Sequence, residues 1–203
     1  MTIKLSDFIK TYDNALSDKF CKNICKKFDN DKRISQGVTG VNPTVNKSFK
    51  DTMDLNISTY KSSGWYEEDK ILYENLQKHL KKYFDDIHKS CKNYAGKFFG
   101  LYNNIAKIND SGYMVMRYEA TGHFDWHDDF QVEKNLGARV LTFIWYLNDA
   151  DKQGCTEFCD GTLVEPKTGR LLIFPAEWIY LHRGKTPKVG RKYICTGWLY
   201  FQS

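Results

Sequence analysis

From Gly112 onward the chain breaks into short apolar or alternating runs closed by Gly, Asp or Asn. This spacing restricts the available folds more than any other feature of the sequence. The runs are Tyr113 to Tyr118, Arg139 to Leu147, Thr156 to Phe158, Thr162 to Val164, Arg170 to Phe174 and Lys192 to Phe201. Several short strands separated by turn residues predict a sandwich or jelly roll. The first hundred residues read differently. Ser17 has the chemistry of an N-cap, and Leu16, Phe20, Ile24 and Phe28 recur every four residues, so a helix with one buried stripe is expected there. Tyr66 to Lys89 carries the longer stripe Leu72, Leu76, Leu80, Tyr83, Phe84 and Ile87. Ile3 to Tyr12 and Asp51 to Tyr60 read as strands, the second with Met53, Leu55 and Ile57 alternating against polar residues. Asp29 to Lys50 is polar and aperiodic, a loop long enough to be functional or mobile. At 203 residues one domain is expected. It would be mainly β with flanking helices, residues 1–110 forming a helical support and loop region and residues 111–203 the core.

Within the strand-rich half, Tyr118 to Asp129 concentrates the chemistry. His127 and Asp129 are two apart, so on an extended strand or at its end they project to one side. His182, the only histidine after His127, could close a set of three. Two imidazoles and one carboxylate on one face leave the opposite coordination positions open, which suits non-haem Fe(II). His123 and Asp125 form a second H-x-D with the same parity, so either pair could face a metal on spacing alone. His79 and His88 lie on the long helix without a carboxylate at such spacing and are assigned to its surface.

The net charge of +5 and pI near 8.7 come from lysines interspersed with acids, as around Asp85 and Asp86. That pattern describes a solvated helix face and disfavours a nucleic-acid partner. No apolar run approaches membrane-spanning length, which disfavours a membrane partner. Cys21, Cys25, Cys91, Cys155, Cys159 and Cys195 show no C-x-x-C spacing, and the start is polar, so a reducing, cytoplasmic setting is expected. The pairs Cys21/Cys25 and Cys155/Cys159 are read as buried apolar residues in preference to redox or soft-metal pairs.

The motifs also occur in a telling order. Tyr118 and His127-x-Asp129 come first, then Arg139 to Asn148, Gly154-Cys-Thr-Glu-Phe158, Val164 to Pro175, His182 and Arg191 to Trp198. Over Tyr113 to Phe201 this series resembles the prolyl 4-hydroxylase branch of the Fe(II)- and 2-oxoglutarate-dependent dioxygenases. The resemblance implies a double-stranded β-helix, a jelly roll of the cupin-like kind. It also selects the register, because the family histidine follows the strand tyrosine by about nine positions and an aromatic or aliphatic residue by three, as His127 follows Tyr118 and Phe124. His127, Asp129 and His182 are then the iron ligands, with His123 and Asp125 on the substrate side or in support. A cation on the last core strand, followed by an aromatic residue and six positions later by Trp, would hold the far carboxylate of oxoglutarate. Lys192, Tyr193 and Trp198 match; Arg191 competes, offering a bidentate fork where lysine offers a point charge. Tyr146, Tyr118 and Thr196 match further contacts to the co-substrate, and Arg139 and Trp198 fall near the substrate mouth. Gly154 matches a position of close strand approach, with Cys155 where a second glycine is commoner.

The implied reaction consumes O2 and 2-oxoglutarate, releases succinate and CO2 and hydroxylates an unactivated C–H bond, with ascorbate a candidate auxiliary reductant. The implied substrate is a prolyl residue of a peptide or protein, with particular similarity to hydroxylases of a ribosomal-protein proline, and Asp29 to Lys50 would cover it. A hydroxylase of a free amino acid or other small molecule would share every iron and oxoglutarate residue, and a non-catalytic jelly-roll binding module would share the fold.

Overall fold

The computed structural model describes residues 3–40, 43–58, 64–90 and 107–201. A 3-10 turn, Leu5–Phe8, leads into β1 (Lys10–Tyr12), and α1 (Asp18–Asp29) and β2 (Ser35–Gln36) follow. After β3 (Met53–Asn56) and α2 (Tyr66–Ser90) come β4 (Ile108–Asp110), β5 (Met114–Tyr118), β6 (Phe124–His127), β7 (Val132–Glu133) and β8 (Gly137–Tyr146). The chain ends through β9 (Thr156–Phe158), β10 (Leu163–Val164), β11 (Leu171–Pro175), β12 (His182–Gly184) and β13 (Lys192–Phe201).

Local chemistry sets the helices. Ser17 caps α1, its hydroxyl oxygen accepting from the Phe20 amide at 3.3 Å, and Cys21, Ile24 and Phe28 form the buried stripe. Glu67, Glu68 and Asp69 occupy the first turn of α2, where carboxylates suit the positive end of the helix dipole. His79 is buried in α2 and not on its surface: Nδ1 lies 2.8 Å from the Asn75 carbonyl and the ring packs 5.4 Å from Tyr12. Position 79 falls three after Leu76, on the apolar stripe, so geometry overrides side-chain polarity. The expected strand from Ile3 is mostly the 3-10 turn, and Asp51 to Tyr60 contributes only four strand residues. Within that strand Asp54 points inward, held by Lys50. Cys91, the break at Ser62-Ser63 and residues 59–60 lie outside the described residues.

All strand pairs are antiparallel. The large sheet runs β1-β11-β8-β13-β5-β3-β2, with β4 also on β13 and β7 on β8; the small sheet runs β10-β9-β12-β6. Strand alternation gives the large sheet two unlike faces. Val115, Phe143, Trp145, Leu171, Ile173 and Cys195 point outward into one core with the α1 and α2 stripes. Met116, Tyr118, Ile144, Tyr146, Leu172, Phe174 and Ile194 point inward, into a second core shared with Phe158 and Val164 of the small sheet. The architecture is thus mainly β, a jelly roll supported by α1 and α2. Cys21 and Cys25 sit on the helical side, where burial pushes their thiols up to about 11 and about 12. Cys155 is buried and Cys159 exposed.

Candidate active site

Between the two sheets, at the end of β6 and the start of β12, His127, Asp129 and His182 converge. Among the described residues they form the one group whose ligand atoms lie within 4.8 Å of each other. His127 and His182 are register partners across the β6–β12 ladder, which places their rings 4.2 Å apart. Asp129 lies just beyond the end of β6. Its carboxylate oxygens are 4.0 Å from His127 Nε2 and 3.5 Å from His182 Nε2.

Each imidazole is aimed from behind. His127 Nδ1 lies 2.6 Å from the Asp125 carbonyl, and His182 Nδ1 lies 3.0 Å from the Tyr180 carbonyl. A carbonyl can only accept, so each Nδ1 carries a proton and each Nε2 is directed at the shared space. The Thr142 hydroxyl donates to Asp129 Oδ2 at 2.8 Å. Burial by itself would raise the Asp129 carboxyl. The neighbouring His182 and His127 and the Thr142 hydroxyl outweigh it and hold the group below its ordinary value, as a carboxylate. Burial, and next the neighbouring His182, push His127 down to about 4, so at neutral pH it is an unprotonated donor. Two imidazole nitrogens and one carboxylate oxygen, preset in orientation, fit a divalent iron.

The parity that made His123 and Asp125 candidates fails in the structure. His182 pairs with His127, yet Gly184 pairs with Phe124, so β6 gains one residue between the two pairs. This bulge brings Phe124, three positions before His127, into a stack 3.6 Å from the His127 ring at 11°. His123 turns instead to the Ser48 carbonyl at 3.1 Å, and Asp125 is exposed.

The inner cavity beside the triad is also lined by Tyr118, Thr142, Thr156, Lys192, Thr196 and Trp198. Lys192 begins β13 on the inward face and is 1% exposed. Its ammonium donates to the carbonyls of Gly154 at 2.9 Å and Lys185 at 3.1 Å, and it lies 3.9 Å over the Tyr118 ring. Desolvation pushes it down to about 7, and it forms no salt bridge among the described residues. A buried amine held only by dipoles, in a cavity that also contains the triad, has the chemistry to pair with an anion. Arg191 points the other way, half-exposed, with Nε 2.9 Å from Glu119. Tyr146 does not line the cavity. Its hydroxyl donates to Thr156 Oγ1 at 2.7 Å, and Thr156 is the group that reaches the inner space. Thr196, also a lining residue, donates to the Phe143 carbonyl at 2.7 Å. Thr142 and Thr156 escaped sequence reasoning. Strand parity relative to Tyr146 and Phe158 could have found both, because inward positions recur every second residue.

Outside the cavity an open groove of about 520 Å³ passes His127 and Asp129. Trp126, Phe130, Arg139 and Trp198 line it, with Val38 to Gly40 and Phe49 from the long loop. A bulge between Leu199 and Tyr200 sets Arg139 opposite Tyr200. There its guanidinium lies 3.9 Å over Trp198 and its Nε donates to the Tyr200 hydroxyl at 2.7 Å.

Comparison with known proteins bears on this geometry. Residues 113–200 match the model of the 2OG-Fe(II) oxygenase superfamily. The match supports a 2-oxoglutarate-dependent dioxygenase, a class of enzyme that uses Fe(II), 2-oxoglutarate and O2. The fold is that of several prolyl hydroxylases. A viral collagen prolyl hydroxylase from Paramecium Bursaria Chlorella virus-1, solved as a 2OG complex, superposes with a TM-score of 0.62 at 17% identity, covering 97% of each chain. A Trichoplax adhaerens prolyl hydroxylase in complex with a hypoxia inducible factor peptide fragment gives 0.65 at 17% identity, covering 97% of this chain and 84% of that one. A Pseudomonas putida prolyl-4-hydroxylase gives 0.62 at 14% identity, with coverage of 97% and 94%. A comparison with curated protein sequences found no match.

Proposed function

We propose that this protein hydroxylates a prolyl residue within a peptide or protein, with succinate and CO2 as co-products. In this reading residues 1–203 work as one catalytic domain. His127, Asp129 and His182 hold Fe(II), which when bound supplies the activation of O2 that no protein side chain provides. Lys192 takes the distal carboxylate of oxoglutarate, with Thr156 beside it and Tyr118 walling the amine. Tyr146 acts through Thr156, and Thr196 and Thr142 set the polar floor. Arg139 and Trp198 form the far rim for the substrate. Phe124, stacked on His127, closes the side of the site toward solvent and limits water entry. His123 and Asp125, on the neighbouring loop, are left with a supporting role. Ascorbate would serve only to keep the iron reduced.

The observation that carries the peptide reading is the open groove beside the triad, aromatic and walled on one side by Val38 to Gly40, Phe49 and Lys50. A free amino acid calls for a closed pocket that grips both its charged ends, whereas an extended chain needs an open trough. The Trichoplax relative was solved with a peptide, which supports the same reading. The test is incubation of the purified protein with Fe(II), oxoglutarate and a library of proline-containing peptides, read by mass spectrometry. A gain of one oxygen on proline is expected. Oxidation confined to free amino acids would replace the peptide reading.

A further inference from the structure

In the loop wall of the groove, where Lys50 is a lining residue, and apart from the triad and the oxoglutarate cavity, lies a second buried charge that the reaction does not use. Lys50 is 3% exposed and Asp54 7%, with Nζ and Oδ2 2.6 Å apart. Thr52 braces the pair, its hydroxyl donating to Asp54 Oδ1 at 2.7 Å. Two apolar side chains would fill this space without the desolvation that two charges undergo, so filling space does not account for the pair. Its position accounts for it better. Lys50 reaches the Val38 carbonyl on the opposite arm of the long loop and lies 5.1 Å over the Phe124 ring. The Asp51 amide donates to the His123 carbonyl and the Asp125 amide to the Phe49 carbonyl, both at 2.8 Å. Segment 49–51 thereby pairs with β6, the edge of the small sheet, through the Lys50–Phe124 bridge.

An aromatic file completes the connection. Phe49 meets Phe124 edge-on at 5.7 Å, and Phe124 stacks on His127. The arms also approach closely at Gly37, whose amide donates to the Thr52 carbonyl at 2.8 Å. A Cβ there would collide with Thr52 Oγ1 and lie 2.9 Å from both Asp54 Oδ2 and Lys50 Cε, so a larger residue would displace the pair.

We infer that Lys50 and Asp54 are positioning residues that lock segments 36–40 and 49–51 against β6, making this wall of the peptide groove and the Phe124–His127 stack one rigid unit. The inference rests on the reading of the groove as the peptide site, but its first readout does not depend on activity. Hydrogen exchange would be followed in the wild type and in Lys50→Met/Asp54→Leu, which removes both charges without stranding one. Exchange over 36–40 and 49–51 should quicken about tenfold or more in the double variant while α1 and α2 keep their protection. Unchanged exchange overturns the lock. With a peptide that the wild type oxidises, peptide KM should rise about tenfold and kcat change less than about threefold. Lys50→Arg, which keeps the charge, should restore both readouts. A fall in kcat at unchanged KM overturns the role in the groove. If the wild type turns over neither oxoglutarate nor peptide, the oxygenase reading fails and exchange alone judges the lock.

Discussion

The two faces of the large sheet are made by the same strands and differ in almost every other respect. On β13, Lys192, Ile194, Thr196 and Trp198 face the cavity side, while Tyr193, Cys195 and Leu199 face the helices. One residue of travel along the strand separates a dry apolar core from a cavity that holds a buried ammonium and three threonine hydroxyls. The outer face holds the fold together. The inner face gives up part of that stability to hold polar groups ready for ligands.

The comparison predicts opposite responses to mutation. The largest effect belongs to the inner face: Asp129→Ala should lower oxoglutarate-dependent succinate release by about a thousandfold or more, to background, with little change in melting temperature. Succinate release at the wild-type rate would remove Asp129 from the metal site. The outer face should respond in the reverse sense. Ile173 is fully buried against the helices, and Ile173→Ala should destabilise by about 2–5 kcal/mol in denaturant unfolding. Iron affinity of the folded fraction should stay within about threefold.

Lys192→Met sharpens the contrast, because it should harm function while helping the fold. Since Lys192 is depressed to about 7 by burial, the folded protein resists a charge that the unfolded chain accepts freely. Stability should therefore rise with pH from about 7 toward the ordinary lysine value, with the full penalty below about 7. Removing the amine strands two carbonyls, so the net gain at pH 7 should be about 1–3 kcal/mol. The KM for oxoglutarate should rise about a hundredfold. A destabilised Lys192→Met protein would mean that the ammonium is already neutralised in the resting state.

A related and smaller effect needs no mutation. A dicarboxylate that pairs with Lys192 must favour its charged form, so binding above about pH 7 should take up close to one proton. Affinity for oxoglutarate should fall as pH rises through that region. Calorimetry in buffers of different ionisation enthalpy measures the uptake directly, and zero uptake at pH 8 would place the carboxylate elsewhere.

The sequence made the triad and most inner-face strands readable because both depend on local spacing. Thr156–Phe158 and Lys192–Phe201 form with the boundaries their alternation predicts, and His127, Asp129 and His182 stand out as scarce residue types in a strand-rich half. What was not readable depends on one-residue irregularities and on partners far away in sequence. The β6 bulge cancels the parity shared by His123 and His127, and nothing in Gly122 to His127 marks it. Asp54 reads as a solvent-facing strand residue until Lys50 is seen folded over it. The choice between Arg191 and Lys192 was open on chemistry, and the register of β13 against β5, which pairs Lys192 with Tyr118, turns Lys192 inward.

The finest test of the two-face picture lies in a single hydrogen bond. Tyr146 is fully buried on the inner face, yet its hydroxyl stops at Thr156 Oγ1. By accepting from Tyr146, the Thr156 hydroxyl keeps its own proton to donate toward the cavity. If the phenol acts only through that relay, Thr156→Val should raise the oxoglutarate KM by about tenfold, the loss of one hydrogen bond to a charged acceptor. Tyr146→Phe should raise it only about two- to threefold, because the threonine donor stays in place and loses only its alignment. The double variant should then be no worse than Thr156→Val alone, a non-additivity expected of two groups in one chain of hydrogen bonds. Multiplying effects would instead mean that the tyrosine touches the co-substrate itself, with its hydroxyl released from Thr156 when oxoglutarate binds.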